Sequence, residues 1–302
     1  MRIAVIDIGS NTVKSAIYDV EKDRQIQCIH RKTVYLGLLS YIENNYLTSG
    51  GIDALSSAIT VLKNVALSMK CHKIYAFATA ALRMSQNNGA IISEVFEKTG
   101  VKIDLIDGDT EARLTYESAA QSTPDMKERG ICVDLGGGSC EIIYFENNKI
   151  KDLVSLPLGT LLLYEKFVSN VIPTKDEFDA IKAHVFESLK GYDRLFTCPN
   201  IYLIGGSARA AVKTLKSARG IDPTLPCVIP TKYMNGFALE LLELKKDAKR
   251  ILMKEVPERA HTLMAGFALF DALAQKCLAT ELTVTDASVR DGYLKERLLK
   301  ND

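Results

Sequence analysis

The chain carries one short pattern twice: Asp7-Ile8-Gly9-Ser10-Asn11-Thr12 and Asp134-Leu135-Gly136-Gly137-Gly138-Ser139. Each copy ends a short aliphatic run, 3–6 in the first and 131–133 in the second, and leads into another apolar run. The pattern reads as strand, glycine turn, strand, used twice. One copy alone needs no more than a hairpin, because Asp and Gly are ordinary turn formers. Two copies in register ask for more. Setting Asp7 on Asp134 places Thr12 on Ser139, Lys14 on Glu141, Ile17 on Tyr144, Tyr18 on Phe145 and Asp19 on Glu146. Duplication on this scale predicts two lobes of like design facing a shared cleft.

The chemistry of such a loop is that of a phosphate clamp. A glycine-rich hairpin presents backbone N–H groups at close range, and an aspartate ending the preceding strand can hold a divalent cation beside them. Gly9, Ser10, Asn11, Thr12, Gly136, Gly137, Gly138 and Ser139 are therefore candidate phosphate ligands. Asp7, Asp134 and Glu141 are candidates for magnesium, which takes one or two carboxylates and completes its shell with substrate oxygens and water. Glu141 also reads as an ordinary outward-facing strand residue. A third glycine segment, Gly205-Gly206-Ser207-Ala208-Arg209, follows a buried-type strand at 200–204 and opens a helix. Arg209, Lys213 and Lys216 share one face of that helix, either as a solvated stripe or, starting from a helix N-terminus, as a polyanion contact.

Two further residues stand out. Glu111, in Asp107-Gly108-Asp109-Thr110-Glu111, sits near the start of an expected helix, where a carboxylate is favourable for dipole and capping reasons alone. A phosphate hydrolase also needs a group to orient water, and a carboxylate is one such group. Arg83 follows a strand and could aim its planar fork at phosphate oxygens, or lie solvated at the surface.

Composition narrows the class. With 302 residues and 38 Lys+Arg against 37 Asp+Glu, the chain is long enough for two lobes and has no bulk charge for binding a nucleic-acid polymer. No apolar stretch approaches the roughly 20 residues of a membrane span. The seven cysteines are odd in number, scattered and without a close Cys-x-x-Cys pair, which argues for reduced thiols and a cytoplasmic location. The four histidines show no metal spacing, and neither a Gly-x-Ser-x-Gly elbow nor a Walker lysine motif is present.

Periodicity orders the rest. A β-type run at 25–36 is followed by a helix with Asp53 as N-cap, a strand at 73–78, a helix through 97, a strand at 101–106 and a helix beginning near Asp109. The segment Ser122-Thr123-Pro124-Asp125 reads as the linker, giving a first lobe over 1–123 and a second over 124–287. The second restarts with strands to 134, at 141–145 and at 150–156, then a helix over 160–167. Thr174 and Glu177 form a capping box for a helix to about 190. A strand at 200–204, helices at 237–244, 248–254 and 257–277, a strand at 282–285 and a final amphipathic helix complete the chain. Strands precede helices in both halves, the mark of an α/β protein with layered mixed sheets.

These residues together resemble the exopolyphosphatase/guanosine pentaphosphate phosphohydrolase (Ppx/GppA) family. The motifs in family order are the first glycine loop, Ala81-Leu82-Arg83 with Asn87 beyond it, Thr110-Glu111-Ala112-Arg113, the second loop and Gly205-Gly206-Ser207-Ala208-Arg209-Ala210. Leu156-Pro157-Leu158-Gly159 and Ser288-Val289-Arg290-Asp291-Gly292 look like its later signatures. The resemblance covers essentially the whole chain and matches the short members without an added C-terminal helical domain. It implies the two-lobed, actin-like ATPase (ribonuclease H-like) fold, with duplicated β-β-β-α-β-α units around an interlobe cleft and a last helix, 288–302, docking back on the first lobe. It further implies release of terminal phosphate from polyphosphate or guanosine pentaphosphate (pppGpp) with Mg2+ or Mn2+. By position, Glu111 would activate water, Arg83 would be a phosphate ligand, and Asp7 and Asp134 the metal-side acids. A homodimer is common among such relatives and has no readable marker here.

Departures from the family pattern are Thr110 and His261, where acids are usual, and Cys140 and Ser207, where threonine is usual. They bear on substrate choice and metal affinity more than on the reaction. Two other classes stay open at this point: an actin-like ATPase or small-molecule kinase, which would need an adenine pocket beside Gly205-Gly206, and a non-catalytic sensor of pppGpp or ppGpp.

Overall fold

A computed structural model describes residues 1–21, 25–196, 198–225 and 227–299. By their contacts they divide into two compact units: Met1–Glu111 with the residues from Tyr293 onward, and Ala112–Gly292.

The first unit begins with β1 (Arg2–Ile8), β2 (Thr12–Val20) and β3 (Ile26–Tyr35), then a 3-10 turn (Leu38–Tyr41) and the two-residue strands β4 (Ile42–Glu43) and β5 (Tyr46–Leu47). It continues through α1 (Ser49–Ser68), β6 (Lys73–Ala78), α2 (Ala80–Met84), α3 (Asn88–Thr99), β7 (Ile103–Leu105) and the start of α4 (Gly108–Ser122). Its main sheet has the order β3-β2-β1-β6-β7. The pairs among β1, β2 and β3 are antiparallel, and β6 and β7 extend β1 in parallel. Ile3 to Ile6 and Ile8 are wholly inaccessible to solvent, which is why β1 reads as a continuous aliphatic run and not an alternating one. Leu55, Ile59, Leu62 and Ala66 give α1 its buried stripe.

Helix α1 starts earlier than the sequence reading placed it. Its N-cap is Thr48, whose hydroxyl accepts from the Gly51 N–H at 3.3 Å, and Asp53 lies inside the helix. Gly50 and Gly51 resemble loop residues in sequence. The structure needs Gly51 for space: a Cβ there would stand 2.7 Å from both Tyr41 and Leu47 side chains.

The second unit takes α4 onward through β8 (Arg129–Leu135), β9 (Cys140–Glu146), β10 (Lys149–Leu156), α5 (Thr160–Phe167), α6 (Lys175–Ser188), a 3-10 turn (Asp193–Phe196) and β11 (Ile201–Ile204). Then come α7 (Gly205–Arg219), β12 (Val228–Pro230), α8 (Thr231–Leu244), α9 (Lys246–Glu255), a 3-10 turn (Pro257–Arg259), α10 (Leu263–Lys276), β13 (Glu281–Val284) and α11 (Val289–Leu299). Its sheet order is β10-β9-β8-β11-β13-β12. The first five strands repeat the order and the parallel or antiparallel sense of the first unit's sheet, with β12 added as an antiparallel edge. Each unit thus carries the ribonuclease H-like order, as the duplicated hairpins require.

Three further differences follow. The expected helix over 257–277 is a 3-10 turn at Pro257–Arg259 followed by α10 from Leu263. Strand β12 is three residues long, too short for a period of two to register. The contact boundary falls at Glu111/Ala112, inside α4, ahead of the expected linker at 122–125. From Ala112 on, that helix packs into the second unit, where Ala112, Tyr116 and Ala119 cluster with Cys132, Phe145 and Tyr202. At the other end, Val289 to Gly292 group with the second unit and Tyr293 onward with the first. Tyr293 lies on Phe77, ring centroids 4.6 Å apart, and both Tyr293 and Arg297 donate to Asp104. The last expected residues of that helix, 300–302, lie outside the described residues. The capping box at Thr174 and Glu177 is present in full.

Candidate active site

In the first unit the singled-out residues follow the carboxyl ends of the parallel strands, the edge where open α/β sheets bind ligands. Asp7 is next to last in β1 and stands opposite Lys14 on β2, which in turn stands opposite Thr33 on β3. The loop after β1 closes with the Gly9 N–H donating to the Thr12 carbonyl at 3.0 Å. Its other carbonyls are taken up by the following turn: Ser10 O accepts from Leu39 N–H at 3.2 Å, and Asn11 O accepts from the N–H groups of Leu36 and Gly37. The described peptides are all trans, so the N–H groups of Asn11 and Thr12 point opposite to those engaged carbonyls.

Arg83 and Glu111 meet. Arg83, on the short helix α2 after β6, donates from Nη1 to Glu111 Oε2 at 2.9 Å and to the Ile106 carbonyl at 3.2 Å. Glu111 is 7% exposed. The capping alternative for Glu111 falls to another residue: Asp107 is the N-cap of α4, its Oδ1 accepting from Thr110 N–H at 2.7 Å and its carbonyl from Glu111 N–H at 3.0 Å. The Glu111 side chain accepts from Arg83. Thr110, a departure from the family pattern, contributes its backbone to that cap.

The second unit builds its loop the same way. Gly136 N–H donates to Ser139 O at 3.0 Å, the counterpart of the Gly9–Thr12 bond. Thr160 N–H donates to Gly136 O at 3.0 Å and Leu161 N–H to Gly137 O at 2.9 Å, so the N-terminus of α5 consumes the loop carbonyls and the N–H groups of Gly137 and Gly138 point away from it. Gly159 makes this approach feasible: a Cβ there would lie 2.2 Å from the Gly137 carbonyl carbon and oxygen. The Leu-Pro-Leu-Gly signature therefore has a packing reason. Cys140 is solvent-inaccessible in the hydrophobic cluster, where burial, with Glu141 and Asp134 nearby, pushes its thiol well above the usual range and keeps it protonated.

Asp134, Glu141 and Ser155 form a transverse row across β8, β9 and β10. Glu141 is 1% exposed and accepts from the Ser155 hydroxyl at 2.7 Å. Asp134 accepts at Oδ2 from Thr115 of α4 at 3.3 Å. The equivalent row in the first unit is Asp7, Lys14 and Thr33, so the duplication places a lysine in one unit where the other has a second acid. Like charges directly opposite across strands repel, and a cation offsets that. Two carboxylates in a row suit a hard divalent ion. Among the described residues no three of His, Cys, Asp and Glu converge, so the remaining coordination positions would fall to phosphate oxygens and water, the habit of Mg2+.

The third glycine segment borders Asp134. Gly205 has φ +93°, and a Cβ there would stand 2.5 Å from Asp134 Oδ1. Two residues down, the Ser207 hydroxyl accepts from Arg259 Nη1 at 3.3 Å, and a Cβ on Gly206 would collide with the same guanidinium at 2.3 Å. Arg259 carries no local signal in the sequence, although it lies two residues before His261. His261 packs edge-on to Tyr164, and burial, with Arg259 beside it, lowers its pKa. The Arg209, Lys213, Lys216 stripe is graded in exposure: Lys213 is exposed, Arg209 half-buried and Lys216 buried. Lys216 is 6% exposed and donates to the carbonyls of Pro223 and Leu225, Lys213 donates to Glu255 O, and Arg209 reaches the carbonyls of Thr285 and Ala287 at 3.4 Å. Of the residues that sequence reasoning passed over, Thr115, Ser155 and Arg259 act through partners distant in sequence. Asp107 alone had a local signal, as an Asp three residues before Thr110.

Comparison with known proteins adds the family. The Ppx/GppA phosphatase family matches residues 16–301. The chain is 25% identical to exopolyphosphatase 1 of Mycobacterium tuberculosis over 311 aligned positions, covering 99% of this chain and 88% of that protein. Among solved structures, the Aquifex aeolicus member of the Ppx/GppA family superposes with a TM-score of 0.82 at 24% identity, covering 100% of this chain and 99% of the other. An exopolyphosphatase from Cytophaga hutchinsonii superposes with a TM-score of 0.88 at 19% identity over 99% of this chain and 98% of that one.

Proposed function

This chain belongs to the Ppx/GppA phosphatase family, and on that premise we propose that it is a phosphohydrolase releasing terminal orthophosphate from inorganic polyphosphate. The observation that carries the reading is the Arg83–Glu111 pair at the carboxyl edge of the first sheet, beside a glycine loop whose carbonyls are already engaged. The resemblance to a curated exopolyphosphatase along nearly the whole chain supports the same substrate.

In this mechanism Glu111 accepts a proton from water as its oxygen attacks the terminal phosphorus. The bridging P–O bond breaks, orthophosphate leaves, and the electron pair stays on the shortened chain. Phosphoryl transfer asks mainly for positioning and charge stabilisation. The N–H groups of the first glycine loop bind non-bridging oxygens, the Thr12 hydroxyl adds a hydrogen bond, and Arg83 fixes the Glu111 carboxylate. Asp134 and Glu141 are the residues that would hold Mg2+ or Mn2+, with Asp7 the corresponding acid of the first loop. When bound, the ion supplies neutralisation of phosphate charge.

A second reading, a guanosine polyphosphate as substrate, is favoured by one observation. A cavity of about 470 Å³ beside α7 is lined by Val212, Ile221, Pro223 and Val284 together with the charged side chains of Arg209, Lys213, Lys216, Glu255 and Asp286. That volume is of the size a nucleobase needs, with an apolar wall to stack on and basic side chains beside it for the phosphates. The deciding experiment is phosphate release with Mg2+ or Mn2+ from long polyphosphate, pppGpp and ATP, with Glu111→Gln alongside. Release from polyphosphate that disappears in the variant supports the first reading, and release from pppGpp alone supports the second. Turnover of ATP alone, or pppGpp binding without any release, overturns both in favour of an ATPase or a sensor.

A further inference from the structure

A serine or threonine within an α-helix ordinarily returns its hydroxyl to the carbonyl four residues back. In this chain Ser56, Thr60, Thr99, Ser122 and Thr214 all do so, at 2.7–2.9 Å. Thr115 does not. It lies in the middle of α4, has no solvent exposure, and donates instead to Oδ2 of Asp134 at 3.3 Å. The carbonyl it forgoes is that of Glu111. The other oxygen of the same carboxylate lies against Gly205, where even a methyl group would be too large.

Resting on the reading of Asp134 as a cation-side acid, we propose that Thr115 is a positioning residue for it. The terminal torsion of an aspartate is soft and roughly two-fold, so a carboxylate without a fixed donor samples a range of planes. A buried hydroxyl on Oδ2 and a glycine backbone beside Oδ1 hold one plane. An ionised carboxylate only accepts, so Thr115 must be the donor, and the bond is made to the form that binds a divalent cation. Thr115 lies in α4, one turn after Glu111. Hydrogen-bond partners of metal-ligating carboxylates change metal affinity by roughly 10- to 100-fold when removed. The length of this bond points to the lower end.

The test uses the full chain as wild type, Thr115→Val, Thr115→Ser and Asp134→Asn. Mn2+ affinity is measured directly by calorimetry and paramagnetic resonance, alongside the Mg2+ concentration giving half-maximal phosphate release and the melting temperature. Valine keeps the buried shape and removes only the hydroxyl. The expected result is a loss of Mn2+ affinity of about tenfold in Thr115→Val, a matching rise in the Mg2+ requirement with a smaller change in kcat, and restoration in Thr115→Ser. Wild-type Mn2+ affinity in Thr115→Val, with affinity lost in Asp134→Asn, overturns the role of Thr115 alone. Unchanged affinity in Asp134→Asn, or no Mn2+ binding by the wild type, overturns the cation-side reading of Asp134 and this proposal with it. A lowered melting temperature in Thr115→Val without an affinity change marks Thr115 as merely structural.

Discussion

Arg83 donates to Glu111 across 28 residues of sequence, Nη1 to Oε2 at 2.9 Å, and the same nitrogen holds the Ile106 carbonyl. The contact ties the segment after β6 to the segment after β7 and leaves a largely buried carboxylate with a fixed direction. Side chains exposed by only 22% and 10% make this more than a surface ion pair.

Glu111→Gln keeps the shape and the hydrogen-bonding reach of the site but removes the proton acceptor. Phosphate release should fall by about 100- to 10,000-fold, the usual contribution of a general base, while binding of polyphosphate to the variant persists. A rate within a few-fold of wild type would remove Glu111 from the reaction.

Arg83→Ala leaves the Glu111 carboxylate without its guanidinium. Breaking one side of a buried pair costs about 3 kcal/mol, the lower end of the range because Arg83 retains some exposure. Denaturant unfolding should show that loss, and Arg83→Lys should recover part of the stability but less of the activity, since lysine lacks the planar fork. Equal activity in the lysine variant would argue that Arg83 acts only as a charge.

Gly159→Ala forces a methyl group into the Gly137 peptide, at 2.2 Å from its carbon and oxygen. Backbone cannot yield as a flexible side chain does, so the second glycine loop should shift, with about 1–3 kcal/mol of stability lost and KM for the phosphate substrate raised. Gly236→Ala is the control, because nothing lies within 4 Å of a Cβ there.

Tyr293 connects the end of the chain to the first unit through its ring on Phe77 and its hydroxyl on Asp104. Tyr293→Phe should cost about 1 kcal/mol for one hydrogen bond, and Tyr293→Ala about 3–5 kcal/mol for the buried ring. Urea titration of the two variants checks the order. Equal losses would mean that the hydroxyl, and not the ring, carries the contact.

Acid should weaken the fold before its carboxylates titrate. Burial, aided by Arg259, lowers the pKa of His261, and burial, aided by Lys166, lowers that of His184. Their folded pKa values lie below the unfolded value of about 6.5, so the unfolded chain binds more protons in that window. Stability is full above pH 6.5 and declines as pH falls toward the folded values. Melting temperatures from pH 7.5 to 5.5 should drop, and His261→Phe, which keeps an aromatic partner for Tyr164, should flatten the slope. A wild-type profile with no slope would contradict the assignment.

Local patterns were legible wherever a residue's partner lay a few positions away. The Thr174–Glu177 capping box needs only a spacing of three, and the two glycine hairpins only their own strands. Errors arose where a contact from elsewhere chose between local alternatives. Thr48 and not Asp53 starts α1 because Gly51 must pass close to Tyr41 and Leu47. Lys216 stays open between a solvated stripe and a polyanion contact until the carbonyls of Pro223 and Leu225 are brought to it.

The sequence by itself determined the duplication, the α/β class and the register that sets Lys14 against Glu141, because strand pairing through a tight turn is a property of neighbouring residues. Only the tertiary structure decided which side chains those frames bring together. Arg83 with Glu111, Thr115 with Asp134 and Arg259 with Ser207 are each joined by chain segments whose paths depend on packing. Hydrogen bonds act over about 3 Å, whereas the periodicities of a sequence report only which face of an element is buried. A site made of such bonds therefore becomes visible only once the core has placed its walls.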